Sequence, residues 1–511
     1  MRKAFIHCNI YKKEEDAFLI EDGKFVKFGA SEEIQKELED TDELVDVHGL
    51  SVYPGFMDTH LHLLRTGDYV NHVQLLGVTD KETVRKKVEP VLSSEDMWIT
   101  GRGYACDFDK AFLDSISTEK AICLTRVDGH SMIVNSKALE LADVHCDTEI
   151  EGGHIEYDTG IVYENAINIL KNAQPAISEE QIEKDLLQGM QYCASFGITS
   201  MGTDDFVSLT KDYTSVLNVY EKLRYQQRMP IRVVQQCEFE NVKDFAKFLD
   251  EGYCTGMGDD FFSIGPLKLI GDGSLGSKNA AMIHGYLNEP DKHGTLVHTD
   301  EEMELYVEMA NKFNMPTIVH VIGDQAVEQV LNVFEKTLYE GNPLRSGLVH
   351  CQIMNARQIE RIQKLNLCCY IQSAFIEDDA QMVKEFIPKP LAASSYAFKT
   401  LLETVPTGNG SDSPVCVPDV LRGIQLAMTR CDSHGNVLNA DQAMTLDQAI
   451  ESYTSKAAYT LNLETKTGTL AEGYYADFVV LDKDLSKEKV EDIDKVKVMM
   501  TVVNGETVFE R

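Results

Sequence analysis

The sequence lacks the features that mark several large classes of protein. Basic residues are scarce: 48 Lys and Arg stand against 83 Asp and Glu, which gives a net charge of −35. So acidic a chain suits neither nucleic acid nor an anionic membrane, and we expect neither as a partner. No apolar run approaches the roughly 18 residues that span a bilayer. The first twelve residues contain no apolar core of a signal peptide. We therefore expect a cytoplasmic protein.

Several reactive-site signatures are also missing. The twelve cysteines include no Cys-x-x-Cys pair, so they are expected to be reduced core residues. No Gly-x-Ser-x-Gly elbow and no P-loop occur. One Gly-x-Gly-x-x-Gly match exists, at Gly271-Asp-Gly-Ser-Leu-Gly276, but it comes late in the chain and no helix pattern continues it. We therefore expect no dinucleotide cofactor.

What the sequence does contain is a repeated alternation of strand and helix signals. Strand-like apolar runs occur at residues 56–60, 198–202, 231–237, 266–270, 317–322, 347–351, 367–371 and 405–408. Capping boxes at Ser178, Thr299 and Thr445 begin helices among and after them. Eight strands in this rhythm predict an α/β protein with a closed, parallel (β/α)₈ barrel. An open doubly wound sheet is the alternative.

Both ends of the chain instead read as strand meanders. Asp22-Gly23 and Asn504-Gly505 each separate two β-prone runs, which is typical of hairpins. We expect residues 1–54 and 466–511 to form one small β domain, because chain ends commonly lie close together; two independent sheets are the alternative. Residues 55–465 are then the barrel, interrupted at about residues 64–178 by an inserted subdomain.

The most informative stretch is Tyr53-Pro-Gly-Phe-Met-Asp-Thr-His-Leu-His62, an apolar strand that ends in His-x-His. Alternate strand residues point to the same face, so His60 and His62 project together, about 7 Å apart. Two neutral imidazoles at that spacing can bind one metal ion.

Further ligand-type residues stand at the ends of later strands. These are His320, His350 and Asp412, with Lys268 inside the fourth apolar run. The carboxyl ends of barrel strands converge on one mouth, where barrel active sites form. Four imidazoles and a carboxylate would make a site suited to Zn²⁺.

Lys268 has two interpretations. It is either a buried lysine paired with Asp272 or a neutral amine that captures CO₂ and bridges two metal ions as a carbamate. A cationic amine beside two Zn²⁺ ions is strongly disfavoured, which favours the neutral amine that carboxylates.

These residues resemble the amidohydrolase superfamily, specifically its YtcJ-like (amidohydrolase 3) branch, which includes N-substituted formamide deformylases. The segments that carry the resemblance are Pro54-Gly-Phe-Met-Asp-Thr-His-Leu-His62, Arg126-Val-Asp-Gly-His-Ser-Met-Ile-Val-Asn135, Lys268-Leu-Ile-Gly-Asp-Gly-Ser-Leu-Gly-Ser277, His320-Val-Ile-Gly-Asp324, His350-Cys-Gln352 and Gly410-Ser-Asp-Ser-Pro414.

The resemblance implies a metal-dependent hydrolase with a distorted (β/α)₈ TIM barrel and a β-sandwich built from both termini. One metal ion would bind His60, His62 and Asp412, a second would bind His320 and His350, and carboxylated Lys268 would bridge them. Zinc is the expected metal, with another divalent ion as the alternative. Asp412 would also be catalytic, taking a proton from the attacking water and delivering it to the leaving nitrogen.

Four further residues are candidates for substrate contact or for orienting ligands. Trp98, His130 and Asn135 lie in the inserted segment, where ordinary packing is the alternative, and Asp324 follows His320 by four residues. The expected partner is a small-molecule substrate; homo-oligomerisation stays open.

The expected activity is hydrolysis of a C–N bond in an exocyclic amide or an N-formyl or N-acyl compound. Deamination with one metal ion and no carbamate is the alternative. A catalytically silent barrel that acts as a binding protein is a third.

Overall fold

Eight parallel strands form the central sheet in a computed structural model that describes residues 2–75, 77–94, 96–126, 131–150, 153–164, 166–175, 177–210 and 212–511. Barrel strands 1 to 8 are, in chain order, Phe56–Leu61, Ile198–Thr203, Arg232–Cys237, Phe262–Ile270, Thr317–Val321, Gly347–His350, Cys368–Ile371 and Thr407–Asn409. Each strand pairs in parallel with the next along the chain. The backbone N–H of Asp412 reaches the carbonyl of His60 at 2.8 Å and brings strand 8 back to strand 1. The predicted barrel is confirmed, and the open sheet is wrong.

Helices lie in the connections between these strands, and others come before the first strand and after the last. The α-helices are Ser31–Lys36, Leu63–Asn71, Lys81–Val88, Lys110–Asp114, Ser136–Leu141, Ile167–Ala173, Glu179–Ala194, Tyr213–Tyr225, Val242–Asp250, Asp300–Lys312, Asp324–Thr337, Ala356–Leu365, Ile376–Phe386, Lys389–Ala392, Phe398–Thr404, Val420–Thr429, Leu446–Ser452 and Ser455–Thr460. Short 3₁₀ helices cover Glu89–Ser93, Ser373–Phe375, Ala440–Gln442, Leu485–Lys487 and Val490–Lys495. Within the described part of the chain, none of the helices has the length and apolar character that a membrane crossing needs.

The chain divides into two compact units, residues 1–66 with 189–511 and residues 67–188. The second unit is built on a six-stranded mixed sheet of its own. In spatial order its strands are Gly153–Glu156, Ile161–Glu164, Ser131–Val134, Ala121–Arg126, Trp98–Tyr104 and Val73–Gln74. Separate apolar clusters cover this sheet, one around Ile122 and Leu124 and the other around Cys123 and Val134. Since Ile122, Cys123 and Leu124 alternate along one strand, the two clusters lie on opposite faces.

In the first unit, strands from both termini share a sheet. Its spatial order is Asn9–Ile10, Ser51–Pro54, Phe478–Leu481, Val498–Val503 and Glu506–Glu510. A four-stranded sheet of Lys24–Gly29, Ala17–Glu21, Arg2–Ile6 and Glu43–Asp46 contributes to the same core. There Phe5, Phe18 and Phe25 from the N-terminal segment surround Phe478 from the C-terminal one, with ring centroids 5.0 to 6.1 Å from it. One apolar core is therefore built from segments more than 400 residues apart in the chain.

A buried ion pair joins barrel strand 3 to the C-terminal segment. Arg232 Nε and Nη2 donate to the two carboxylate oxygens of Asp477 at 2.7 and 2.9 Å, and both side chains are almost fully buried. Asp477 also accepts the backbone N–H of Asn504 at 2.8 Å. The Asp477 carboxylate thus connects barrel strand 3 to the C-terminal hairpin at Asn504.

We expect Asp477→Ala to lower the free energy of unfolding by about 3–5 kcal/mol, because it leaves the Arg232 guanidinium buried without its counter-charge. Urea unfolding followed by circular dichroism measures this. The double variant Arg232→Met/Asp477→Leu removes both charges and should recover most of the loss. A loss below about 1 kcal/mol in the single variant would mean that the guanidinium finds another partner or water.

Candidate metal centre

Three of the predicted ligands meet at the carboxyl end of the barrel. One ligand atom each from His60, His62 and Asp412 lies within 4.8 Å of the other two. Asp412 Oδ1 is 3.4 Å from His60 Nε2 and 3.3 Å from His62 Nε2. The same buried oxygen has no hydrogen-bond partner within the described part of the chain. A buried carboxylate oxygen in that position, facing two imidazole nitrogens, fits a divalent metal ion such as zinc.

The backbone around Asp412 is held in an unusual conformation. Asp412 has φ of +58°, in the left-handed region that few residues other than glycine adopt. The loop is fixed by Asp58, whose two carboxylate oxygens accept the N–H of Ser411 at 3.0 Å. A Cβ at Gly410 would approach Asp58 Oδ1 to 2.6 Å, so only glycine fits there. Asp58 therefore ties barrel strand 1 to the loop that presents Asp412.

Lys268 lies beside this cluster on barrel strand 4. Its Nζ is 3.4 Å from His60 Nε2 and 3.2 Å from Asp204 Oδ2, and the lysine is 1% exposed. The alternative prediction, that Lys268 pairs with Asp272, is wrong, because Lys268 pairs with Asp204. The Asp272 carboxylate instead accepts backbone N–H groups of Ile322, Gly323 and Ala281, so it serves the main chain of neighbouring loops.

His320 and His350 complete the predicted set. Their ring centroids are 4.4 Å apart, and His350 is 5.5 Å from the ring of His60. His320 Nε2 lies 3.4 Å from the carbonyl of Gly273, which leaves Nδ1 as the ring nitrogen available to a ligand. All six predicted metal-ligand residues are therefore brought to one rim of the barrel.

Two glutamines set the orientation of two of the imidazoles. Gln236 donates its amide to the carbonyl of Thr59 at 2.8 Å, which fixes Oε1 as the acceptor for His60 Nδ1 at 2.5 Å. Gln372 likewise donates to the carbonyl of Tyr370 at 3.1 Å and accepts from His350 Nδ1 at 2.8 Å. With Nδ1 carrying the proton, each ring presents the lone pair of Nε2 to the site.

His62 is oriented differently, because its Nδ1 donates to the backbone carbonyl of Asp204 at 2.9 Å. Burial would lower the pKa of His62, but the nearby carboxylate of Asp412 outweighs burial and raises it. Burial lowers the pKa of His350 to about 4 and that of His60 well below its ordinary value. These two rings are neutral at pH 7, as metal ligands must be.

At Asp412, unlike at His60 and His350, the neighbouring groups outweigh the effect of burial on the pKa. Burial would raise the pKa of its carboxyl group, but the neighbouring imidazoles, His62 above all, hold that pKa well below its usual range. Asp412 therefore stays ionised at neutral pH, as a metal ligand must be.

We expect Gln372→Leu to weaken zinc affinity by about 10- to 100-fold, because the His350 ring loses the acceptor that fixes its tautomer and orientation. Competition with a fluorescent chelator measures the affinity. Gln363→Leu, on the Ala356–Leu365 helix, is the matched control. Equal affinities for the two variants would show that His350 needs no such support.

The fold uses the carboxamide of Asn135, one of the four residues predicted to contact substrate or orient ligands. Asn135 is fully buried in the second unit, where its carboxamide accepts from Ile122 and Ala138 and donates to Ser117 and Lys120. The bond from Ala138 caps the Ser136–Leu141 helix, and the other three tie the start of that helix to residues 117–122.

Trp98 and Asp324 make contacts within the fold, and their role toward a substrate stays a prediction. Trp98 is partly buried and packs on the apolar cluster of the second unit around Val134. His130 lies outside the described residues. Asp324 is buried, and its carboxylate accepts the N–H of Ile283 at 2.9 Å rather than orienting His320.

Sequence reasoning missed four polar residues at the rim: Asp204, Gln236, Glu238 and Gln372. Asp204, Glu238 and Gln372 come directly after barrel strands 2, 3 and 7. The strand-end rule that selected His320 and Asp412 would have found these three as well. Gln236, within strand 3, had no comparable signal, because a buried glutamine is more often a core residue than an orienting group.

Comparison with known proteins decides the family. The family model described as "Amidohydrolase family" matches residues 43–509. The chain belongs to the amidohydrolase family. This amidohydrolase is 28% identical to the YtcJ protein of Bacillus subtilis (strain 168) over 521 residues, 97% of this chain and 96% of that protein. It is 22% identical to the N-substituted formamide deformylase of Arthrobacter pascens, over 97% of this chain and 95% of that one.

A solved structure supports the same assignment. An uncharacterized metal-dependent hydrolase from Pyrococcus horikoshii OT3 superposes on this amidohydrolase with a TM-score of 0.80 and 25% identity, over 96% of this chain and 99% of that one. The amidohydrolase is thus a metal-dependent hydrolase of the barrel type, and the ligand cluster at its rim is the candidate metal centre.

Proposed function

We propose that this chain hydrolyses a C–N bond in an amide, N-formyl or N-acyl compound of small size. The observation that carries the proposal is the buried, unpartnered Asp412 Oδ1 facing His60 and His62. The name of the Arthrobacter relative, N-substituted formamide deformylase, supports a formamide as the first substrate class to test. The scarcity of basic residues supports a small molecule rather than a nucleic acid as partner.

We propose zinc as the metal, because the donor set is imidazole nitrogen and carboxylate oxygen. His60, His62 and Asp412 would hold one ion, and His320 and His350 a second. Bound zinc lowers the pKa of water to about 7 and polarises a carbonyl group. Asp412, ionised at neutral pH, would accept the proton of the attacking water and donate it to the leaving nitrogen.

N-carboxylation of Lys268 as the bridge between two ions is part of the same proposal. The contact of Nζ with His60 puts the amine at the boundary of the two ligand sets. Metal per chain, measured by mass spectrometry, should rise from about one to two when the apoprotein is reconstituted in bicarbonate rather than in CO₂-free buffer. A count that does not respond to bicarbonate would remove the carbamate from the proposal.

The activity is tested with zinc-loaded protein and a panel of N-formyl, N-acyl and cyclic amides. We expect release of the free amine from at least one formamide or N-acyl compound, and no release after chelation. Inactivity across the panel at full metal loading would favour the alternative of a catalytically silent binding protein.

Deamination is the second candidate, and one observation favours it. Only His60, His62 and Asp412 form a three-ligand cluster among the described residues, while Lys268 is paired with Asp204. This arrangement suits a single ion without a carbamate. Ammonia release from amino-substituted heterocycles, at one metal ion per chain, would favour the deaminase over the amide hydrolase.

A further inference from the structure

Two carboxyl groups meet at the rim next to the metal centre. Asp204 directly follows barrel strand 2, and Glu238 directly follows barrel strand 3. Because these strands are neighbours in a parallel barrel, their carboxyl ends lie side by side. The carboxyl group of Glu238 is within hydrogen-bonding distance of that of Asp204.

The single positive charge of Lys268 cannot neutralise both carboxyl groups of this pair. Asp204 is 1% exposed, and Lys268 Nζ contacts its Oδ2 at 3.2 Å. Asp204 Oδ1 accepts no hydrogen bond from an N–H or hydroxyl group of the described chain. One lysine amine therefore faces two carboxyl groups, and a buried acceptor oxygen is left over. Carboxylation of Lys268, as proposed above, would remove that positive charge and deepen the deficit.

The neighbouring Asp205 shows that burial alone does not produce this deficit. Its carboxylate is fully buried but accepts hydrogen bonds from Leu64 N, Thr203 Oγ1 and Tyr220 Oη at 2.6 to 2.8 Å. Among the described residues, three groups donate hydrogen bonds to the Asp205 carboxylate, whereas no N–H or hydroxyl group donates to Asp204 Oδ1. An unsatisfied buried acceptor is costly, so such a group in a native site calls for an external partner.

We propose that the Asp204–Glu238 pair binds a positively charged group of the substrate, an ammonium or guanidinium next to the scissile amide. Such a group carries several N–H donors and a charge, which match the free acceptors of both carboxylates. Glu238 is partly exposed, so the pair can be reached from solvent. This inference rests on the proposed amide hydrolysis and narrows its substrate class.

Two observations favour a substrate group over another metal ion. The three-ligand cluster of the described residues contains neither Asp204 nor Glu238, and the pair includes no imidazole.

The first experiment compares two formamides that differ only in charge, N-formylputrescine and N-pentylformamide. We expect wild-type kcat/KM to be higher for the cationic compound by on the order of tenfold or more. The ratio should fall toward unity in Glu238→Gln and stay at its wild-type value in Glu240→Gln, an exposed acid two residues away. A ratio that Glu238→Gln does not change, or a wild-type preference for the neutral compound, would overturn the proposal.

The second experiment separates this inference from the proposed activity. Calorimetric titration with putrescine should show binding to the wild type and to Glu240→Gln, and at least about tenfold weaker binding to Glu238→Gln. This result without turnover of any amide would sink the proposed activity and leave the cation site standing. The absence of putrescine binding to the wild type would overturn the site. So would loss of one metal equivalent in Glu238→Gln with unchanged putrescine binding, since the occupant would then be a metal ion.

Discussion

Replacing Asp412 by asparagine is expected to lower kcat by at least ~10²-fold, the usual scale of general acid–base assistance. The carboxamide has the shape of the carboxylate but has no basic oxygen to accept the proton of the attacking water, the role proposed for Asp412. The fold should be retained, because the loop is held by backbone bonds from Asp412 N to His60 and from Ser411 N to Asp58. Turnover of the best formamide measures kcat, and circular dichroism measures the fold.

Metal content must be measured in the same samples, since Asp412 is also a proposed ligand. The matched control is Asp441→Asn, at an exposed aspartate in the Ala440–Gln442 turn, which should keep wild-type turnover. Near-wild-type kcat in Asp412→Asn at full metal loading would remove Asp412 from the proton pathway. A loss of activity that follows the loss of metal alone would restrict Asp412 to metal binding.

Removing the metal is expected to lower activity further, by on the order of 10³-fold, since metal assistance supplies several kcal/mol of transition-state stabilisation. Chelation should abolish turnover, and added zinc should restore it. In His60→Ala the activity should stay lost after zinc is added, because His60 contributes one of the two imidazoles that face Asp412 Oδ1. Zinc per chain, measured by mass spectrometry, should fall in parallel.

His48→Ala is the control for this variant, since the side chain of His48 is 80% exposed and its partner is Asp46, which is not among the proposed ligands. It should bind zinc and turn over like the wild type. His320→Ala tests the second proposed ion separately: zinc per chain should fall by the second ion only. Full zinc content and activity in His60→Ala would refute the assignment of this cluster as the metal centre.

The barrel itself was predictable because its signal is local. Each strand is a short apolar run, and capping boxes such as Thr299 with Glu302 and Thr445 with Gln448 begin helices where the sequence places them. Eight such runs in alternation with helices leave few other architectures. The first and last residues of the insertion were harder to predict. Residues 67–188 form a sheet of their own, which does not continue the strand–helix alternation of the barrel.

The substrate residues show the limit of motif reasoning. Asn135 stands in a turn-rich segment that suggested substrate contact, yet its carboxamide is used entirely by local backbone groups. Whether a polar side chain serves the fold or a ligand depends on which donors and acceptors surround it in space. Asp324 illustrates the same point, because Ile283, 41 residues earlier, supplies its partner.

The sequence by itself determined the barrel and the positions of the ligand-type side chains, because strand periodicity and strand ends can be identified from neighbouring residues. Only the tertiary structure decided how those side chains pair: Lys268 with Asp204, His60 with Gln236, and His350 with Gln372. These contacts join residues 64, 176 and 22 positions apart. They depend on the register and tilt of neighbouring strands and on the space each side chain finds, which no local pattern encodes.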